Sequence, residues 1–240
     1  PPIARIAAGG AIIGYFLLKE TLPETRRRSF TLARANPLGT LIQMSRTPIV
    51  MGFLMVIFCA QLAAQSQMSV WAYHTKLVFD WSELEIGLSV ALFGIILVVV
   101  QGGLTGAVIA RLGAGRTAML GFLISMPAYY LFAFASVSWI MILGVVIGGL
   151  GGLTFPALQQ MMSERINEDA QGELQGAVAS MISITSIIGP IIMTGVFGAF
   201  ADQEGVYFPG APYLLAASII LCSMALLAWN LRRMERVRPA

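Results

Sequence analysis

Runs of roughly twenty apolar residues recur along this chain, joined by short connections that hold most of its charge, and that pattern leaves few folds open. Seven runs stand out: Ile3 to Leu18, Ile49 to Tyr73, Leu84 to Ile109, Thr117 to Phe134, Trp139 to Met162, Gln171 to Gly198 and Pro212 to Leu231. A helix of this length crosses the hydrocarbon of a bilayer and satisfies its backbone hydrogen bonds internally, which an open strand does not. Of the 240 residues, 57% are hydrophobic and only 11% are charged, where soluble domains carry about 25% charged residues. The expected fold class is therefore all-α: a polytopic membrane protein of about seven transmembrane helices, with lipid as its solvent.

Charge then orients the helices. If the first run passes from outside to inside, every Lys and Arg except Arg5 and Lys76 falls on the cytoplasmic side, as the positive-inside rule requires. The net charge of +3 is thus a topology signal, and no nucleic-acid partner is expected. The chain divides into a first span (1–18), a basic cytoplasmic loop (19–47) with a short interfacial helix at Pro37 to Ser45, and a six-helix domain (48–240) with a cytoplasmic C-terminus. Trp71, Tyr73 and Trp81 are placed like an outer aromatic belt. Cys59 and Cys222 lie inside apolar runs and read as small packing residues. The chain opens Pro1-Pro2 without Met and reads as a fragment.

The run from Gln171 to Gly198 is patterned differently from the rest. Small or polar residues recur near each helical turn at Gly172, Gly176, Ser180, Ser183, Pro190, Thr194 and Gly198. Such a stripe lets a second helix approach closely, so Gly172, Gly176, Gly189 and Pro190 are expected to form a helix-packing motif. Pro190 removes one backbone hydrogen bond in mid-span.

Several segments resemble the major facilitator superfamily of transporters. Leu18-Lys-Glu-Thr-Leu-Pro-Glu-Thr-Arg26 resembles the end of that family's sixth helix and the start of its basic central loop. The sequence from Gly106 through Arg111 and Gly113 to Arg116 resembles the conformational loop motif between its helices eight and nine. Gly189-Pro190 resembles the Gly-Pro motif of helix eleven. Asn36-Pro-Leu, Ile86-Gly-Leu-Ser89, Ala110-Arg-Leu-Gly113, Phe155-Pro-Ala-Leu-Gln159 and Gly172-Glu-Leu-Gln-Gly176 are similar to the tetracycline-resistance class of drug/proton antiporters. The resemblance implies helix six plus the C-terminal six-helix domain of a bacterial inner-membrane exporter. Its partner would be the N-terminal six-helix half, with a small amphipathic substrate exchanged for protons by alternating access. Ala110 stands where the general loop motif has Asp, and Ser125 stands where the resistance pumps lead one to expect an intramembrane Asp.

The chemistry-bearing residues agree with a carrier. With His74 as the only histidine, neither a His-rich metal site nor a hydrolytic triad with another histidine can be built. No enzyme activity, metal or cofactor is expected. Amphipathic molecules call for an apolar wall with a few uncharged hydrogen-bonding groups, and Gln61, Gln65, Gln101 and Gln159 with Met68, Phe155 and Met181 supply both. No carboxylate lies in the interior of a run, away from its ends, so His74 is the one candidate proton site in this chain, and the resemblance assigns the coupling acids to the N-terminal half. Two other readings stay open: a superfamily transporter of a metabolite or siderophore-like molecule, and a half-length membrane protein that acts as partner or scaffold.

Overall fold

The computed structural model describes residues 48–202 and 205–237. The expected first span, the basic loop with its interfacial helix, Glu204 and Arg238 lie outside the described residues. Six helices among those described are long and apolar enough to cross a membrane: α1 (Pro48–Phe79), α2 (Glu83–Leu112), α3 (Ala114–Phe134), α4 (Ser138–Ser163), α5 (Gln171–Ala201) and α6 (Ala211–Val237). No strand occurs among the described residues.

Local chemistry sets the helix ends. Ser82 and Glu85 form a reciprocal capping box at the start of α2, satisfying backbone donors that the first turn leaves free. Between α2 and α3 a single residue, Gly113, turns the chain at φ +79°, a conformation that glycine adopts without a Cβ penalty. Its amide donates to the Ile109 carbonyl at 2.8 Å and its carbonyl accepts from the Thr117 hydroxyl at 2.8 Å. The buried hydroxyls of Ser66, Thr75, Ser180 and Thr185 bond back to carbonyls three or four residues earlier. Polar side chains are thereby carried into apolar surroundings without an unmet donor.

The helices run up and down, and α1 is the centre. It packs along α6 and α5, while α3 lies along α4 and α6, and α4 along α2. Val50, Phe53, Leu54 and Ile57 of α1 are completely buried, together with Tyr213 and Leu227 of α6. Close approach is concentrated at the α3–α4 crossing. A methyl group on Gly121 would meet the Thr154 amide at 2.8 Å and the Gly151 carbonyl at 2.9 Å. Here backbone rests on backbone, and only glycine fits.

The two ends differ in charge. Arg111, Arg116, Arg165, Arg232 and Arg233 gather where Gly115 packs against Leu231 and Met161. The opposite end holds Lys76, Asp80, Glu83, Glu85 and Asp202, and there the Trp81 indole donates to Ser138 Oγ at 2.9 Å. The aromatic belt expected at this end is mostly absent. Trp71 and Trp81 are only 5% and 6% exposed, whereas Tyr73 is open. Trp71 sits edge-on to Phe132, 5.1 Å between centroids, and to Trp81 and Tyr213, so the tryptophans clamp helices together.

The expected packing stripe of α5 is also rotated from the true contact. Leu174, Ala177, Val178, Met181, Thr185, Gly189 and Met193 form the buried face. Of the stripe, Gly172, Ser183, Thr194 and Gly198 are exposed. Gly189 does pack closely, against the Gln65 side chain.

Candidate functional site

Two of the helices are irregular, and the irregularities face each other. In α2 the residues Val100–Leu104 form a π-turn, with the Thr105 hydroxyl donating to the Val100 carbonyl at 2.8 Å. In α4 the residues Gly151–Leu153 tighten to a 3-10 turn. The Gln101 carboxamide reaches from one to the other, 3.5 Å from the Gly152 carbonyl. Such departures leave carbonyls free of the regular ladder and tend to collect at functional sites.

A cavity of about 240 Å³ opens beside these turns, between α1, α2, α3 and α4. Gln61, Met68, Gln101 and Phe155 all line it. The carboxamide of Gln61 makes no hydrogen bond to another described residue and is free to meet a guest. Gln65, Gln159 and Met181 are not brought to this wall. The Gln65 stem lies over Gly189, Gln159 accepts from the Gln175 amide at 3.2 Å, and Met181 is buried within α5's packed face. Gln65 and Gln159 thus meet α5 instead, and Met181 lies on the buried face of α5 itself.

Four further polar residues line the cavity that sequence reasoning did not assign to it: Gln67, Ser125, Tyr129 and Thr154. Gln67 was visible as a glutamine in an apolar run, six residues from Gln61. Ser125 was visible only through the resemblance. Its hydroxyl donates to the Gly121 carbonyl at 2.9 Å, and its oxygen lies against Gly151 at the cavity wall. Tyr129 carried no sequence signal beyond its type. No Asp, Glu, Lys, Arg or His is among the lining residues.

His74 lies elsewhere. It is 2% exposed and boxed by aromatic rings, perpendicular to Tyr213 at 5.1 Å and near Phe79 at 5.9 Å. Its Nδ1 and the Tyr213 hydroxyl are both buried without a hydrogen-bond partner among the described residues. At the far end of the bundle, Gly106, Arg111, Gly113 and Arg116 surround the α2–α3 turn, where both guanidinium groups are exposed and Gly106 has open space beside it.

The family profile of the Major Facilitator Superfamily matches residues 3–190 and 53–240. The chain is 32% identical over 222 residues to the class C tetracycline resistance protein of Escherichia coli, covering 91% of this chain and 55% of that protein. It is 34% identical over 168 residues to the class G protein of Vibrio anguillarum, covering 69% and 43%. In structure it is similar to the human organic anion transporter MFSD10 (TETRAN), with a TM-score of 0.80 at 19% identity, covering 92% of this chain and 55% of that one. The chain thus spans about half the length of the curated relatives it matches.

Proposed function

Because the chain belongs to the Major Facilitator Superfamily, a family of transporters and not of enzymes, we propose that it forms the C-terminal half of an exporter of small amphipathic molecules driven by proton antiport. The observation that carries this reading is the cavity wall. It is aromatic and aliphatic over most of its area, with Phe93, Phe122, Phe132 and Phe155, and its polar groups are uncharged amides and hydroxyls. An apolar guest with a few hydrogen-bonding groups is stabilised there, whereas an isolated charge is penalised by its lost hydration. The relatives named as tetracycline resistance proteins support the export of drug-like molecules.

In this reading the second half of the transporter closes over the cavity, and substrate binds near the membrane midplane between the halves. Helix α2 is the least enclosed of the six, with only 11% of its apolar window buried, and presents Val98 and Val99 to a missing neighbour or to lipid. Gln61 and Gln101 orient the substrate through their amides. The paired irregular turns at Val100–Leu104 and Gly151–Leu153 let the wall bend as access alternates. Coupling acids come from the other half, since this wall has no carboxylate. The arginine-rich end faces the cytoplasm of a bacterial inner membrane.

The test uses the full-length transporter in inside-out vesicles with an imposed pH gradient. Uptake of a drug panel should depend on the gradient and collapse with a protonophore. Gln61→Ala should change the relative rates among drugs by roughly tenfold, the value of one or two kcal/mol of lost hydrogen bonding. Uptake that ignores the protonophore would remove proton coupling, and a uniform fall for all drugs in step with protein abundance would remove Gln61 from the site.

A further inference from the structure

A second cavity, of about 120 Å³, adjoins the first on the side toward the acidic end of the bundle. The two share Ala64, Gln67, Met68 and Phe93, so they are adjacent chambers with these side chains at the boundary, here called the neck. Their chemistry differs. The inner chamber carries Gln61, Gln101, Ser125 and Tyr129. The outer chamber adds Trp71, Ser89, Val90 and Val145, and its polar groups are already spent on each other. The Trp71 indole donates to Ser89 Oγ at 2.9 Å, and the Ser89 hydroxyl donates to the Ile86 carbonyl at 2.7 Å. This leaves Gln67, at the neck, as the outer chamber's one side chain with hydrogen-bonding capacity to offer. The Trp71 ring is held rigid by Ser89 on one side and Phe132 on the other, so the chamber keeps its shape when empty.

We infer that the site is bipartite: the inner chamber takes the hydrogen-bonding head of an uncharged amphipathic substrate, the outer chamber takes its apolar tail, and Gln67 meets the junction between them. The inference rests on the transporter reading above and names the substrate class for it. Adjacency of the chambers across shared side chains argues for a single occupant, because one molecule anchored by its head at Gln61 and Gln101 brings its tail to the boundary without further loss of translational freedom. Charge favours an uncharged head on the wall this half supplies, because neither chamber has an ionisable side chain among its described lining residues and a charge left unpaired against that wall is costly.

The experiment is a tail-length series on the full-length transporter in vesicles. The probes are neutral coumarin carboxamides bearing N-methyl, N-butyl or N-octyl chains, each measured for binding and for transport. Affinity corrected for membrane partitioning should rise by about fourfold per methylene that enters the outer chamber and then level off. Val90→Trp fills that chamber from an exposed position, Val90 being 57% exposed, so folding is spared. It should lower the octyl-to-methyl affinity ratio by about tenfold or more. A cationic analogue of the octyl probe should bind at least tenfold more weakly than the neutral one. An affinity that ignores tail length, or a Val90→Trp variant that leaves the ratio as it was, would give the outer chamber to a lipid chain or another helix and overturn the inference. In that event gradient-driven export of the methyl probe would still stand for the transporter reading. Absence of binding by every probe would overturn the inference, and only loss of all drug export would remove both.

Discussion

At the residue scale, the glycines divide into those that a contact requires and those that it does not. Gly121 and Gly151 meet at a close crossing, where main chain of Gly151 and Thr154 that cannot swing away faces Gly121, and the Ser125 hydroxyl together with the Gly121 carbonyl faces Gly151. Gly121→Ala should therefore destabilise the bundle by about 1–3 kcal/mol, as overpacking does in tight interiors. Gly87→Ala, at a position with open space, should stay within about 0.5 kcal/mol of the parent or gain slightly. Thermal unfolding in detergent, followed by the accessibility of Cys59 to a thiol dye, compares the two. An equal response would mean that the α3–α4 crossing is looser than its geometry. Ser125 belongs to this crossing too: it lines the cavity, and its oxygen lies over Gly151. A larger side chain at 125 would push into the same contact, so the crossing constrains what chemistry this position can carry.

At the element scale, α2 is the helix with the least reason to be straight. Gly102 and Gly103 lie within its π-turn, and a methyl group on either would meet nothing within 4 Å among its neighbours. Two such glycines weaken a helix by about 1 kcal/mol each relative to alanine, and among the described residues no close packing offsets that loss. The expected purpose is bending beside Gln101. Replacing both with alanine should raise the thermal midpoint while slowing transport severalfold, at little cost to substrate binding. Transport that rises or holds with stability would show that the π-turn is static. Helix α4 offers the matching break at Gly151–Leu153, but there glycine is required by α3, so the two irregular turns have different causes.

At the scale of the whole molecule, the arginines collect at one end and the acidic residues outnumber Lys76 at the other. The positive-inside rule orients such a bundle with the arginines in the cytoplasm. In a background lacking Cys59 and Cys222, cysteines at Arg116 and at Val206, both exposed, should label from opposite faces of intact cells. Membrane-impermeant reagent should reach position 206 only, and labelling of both from outside would reverse the reading. The same bundle leaves α2 and one side of α5 uncovered, as expected when the chain spans about half the length of the relatives it matches.

The type and approximate limits of the six described helices were legible in the residues, because spanning a bilayer demands long apolar runs and tolerates charge only at their ends. Part of the site was legible for the same reason. A glutamine such as Gln61 or Gln101 is conspicuous in an apolar run and has to bond to something. What each one bonds to was decided by tertiary structure. Gln65 and Gln159 went to helix contacts, while Gln67 went to the cavity, because the rotation of each helix about its axis follows from packing that is distant in sequence. Trp71 and Trp81 were read as a belt because interfacial and clamping tryptophans look alike in a sequence. Ser89, Ser138 and Phe132 decide between those roles, and only folding brings them near. The glycine stripe of α5 was likewise a true periodicity whose partner the sequence could not name. The helices were determined by the solvent they must cross, and the cavity by which faces of those helices found each other.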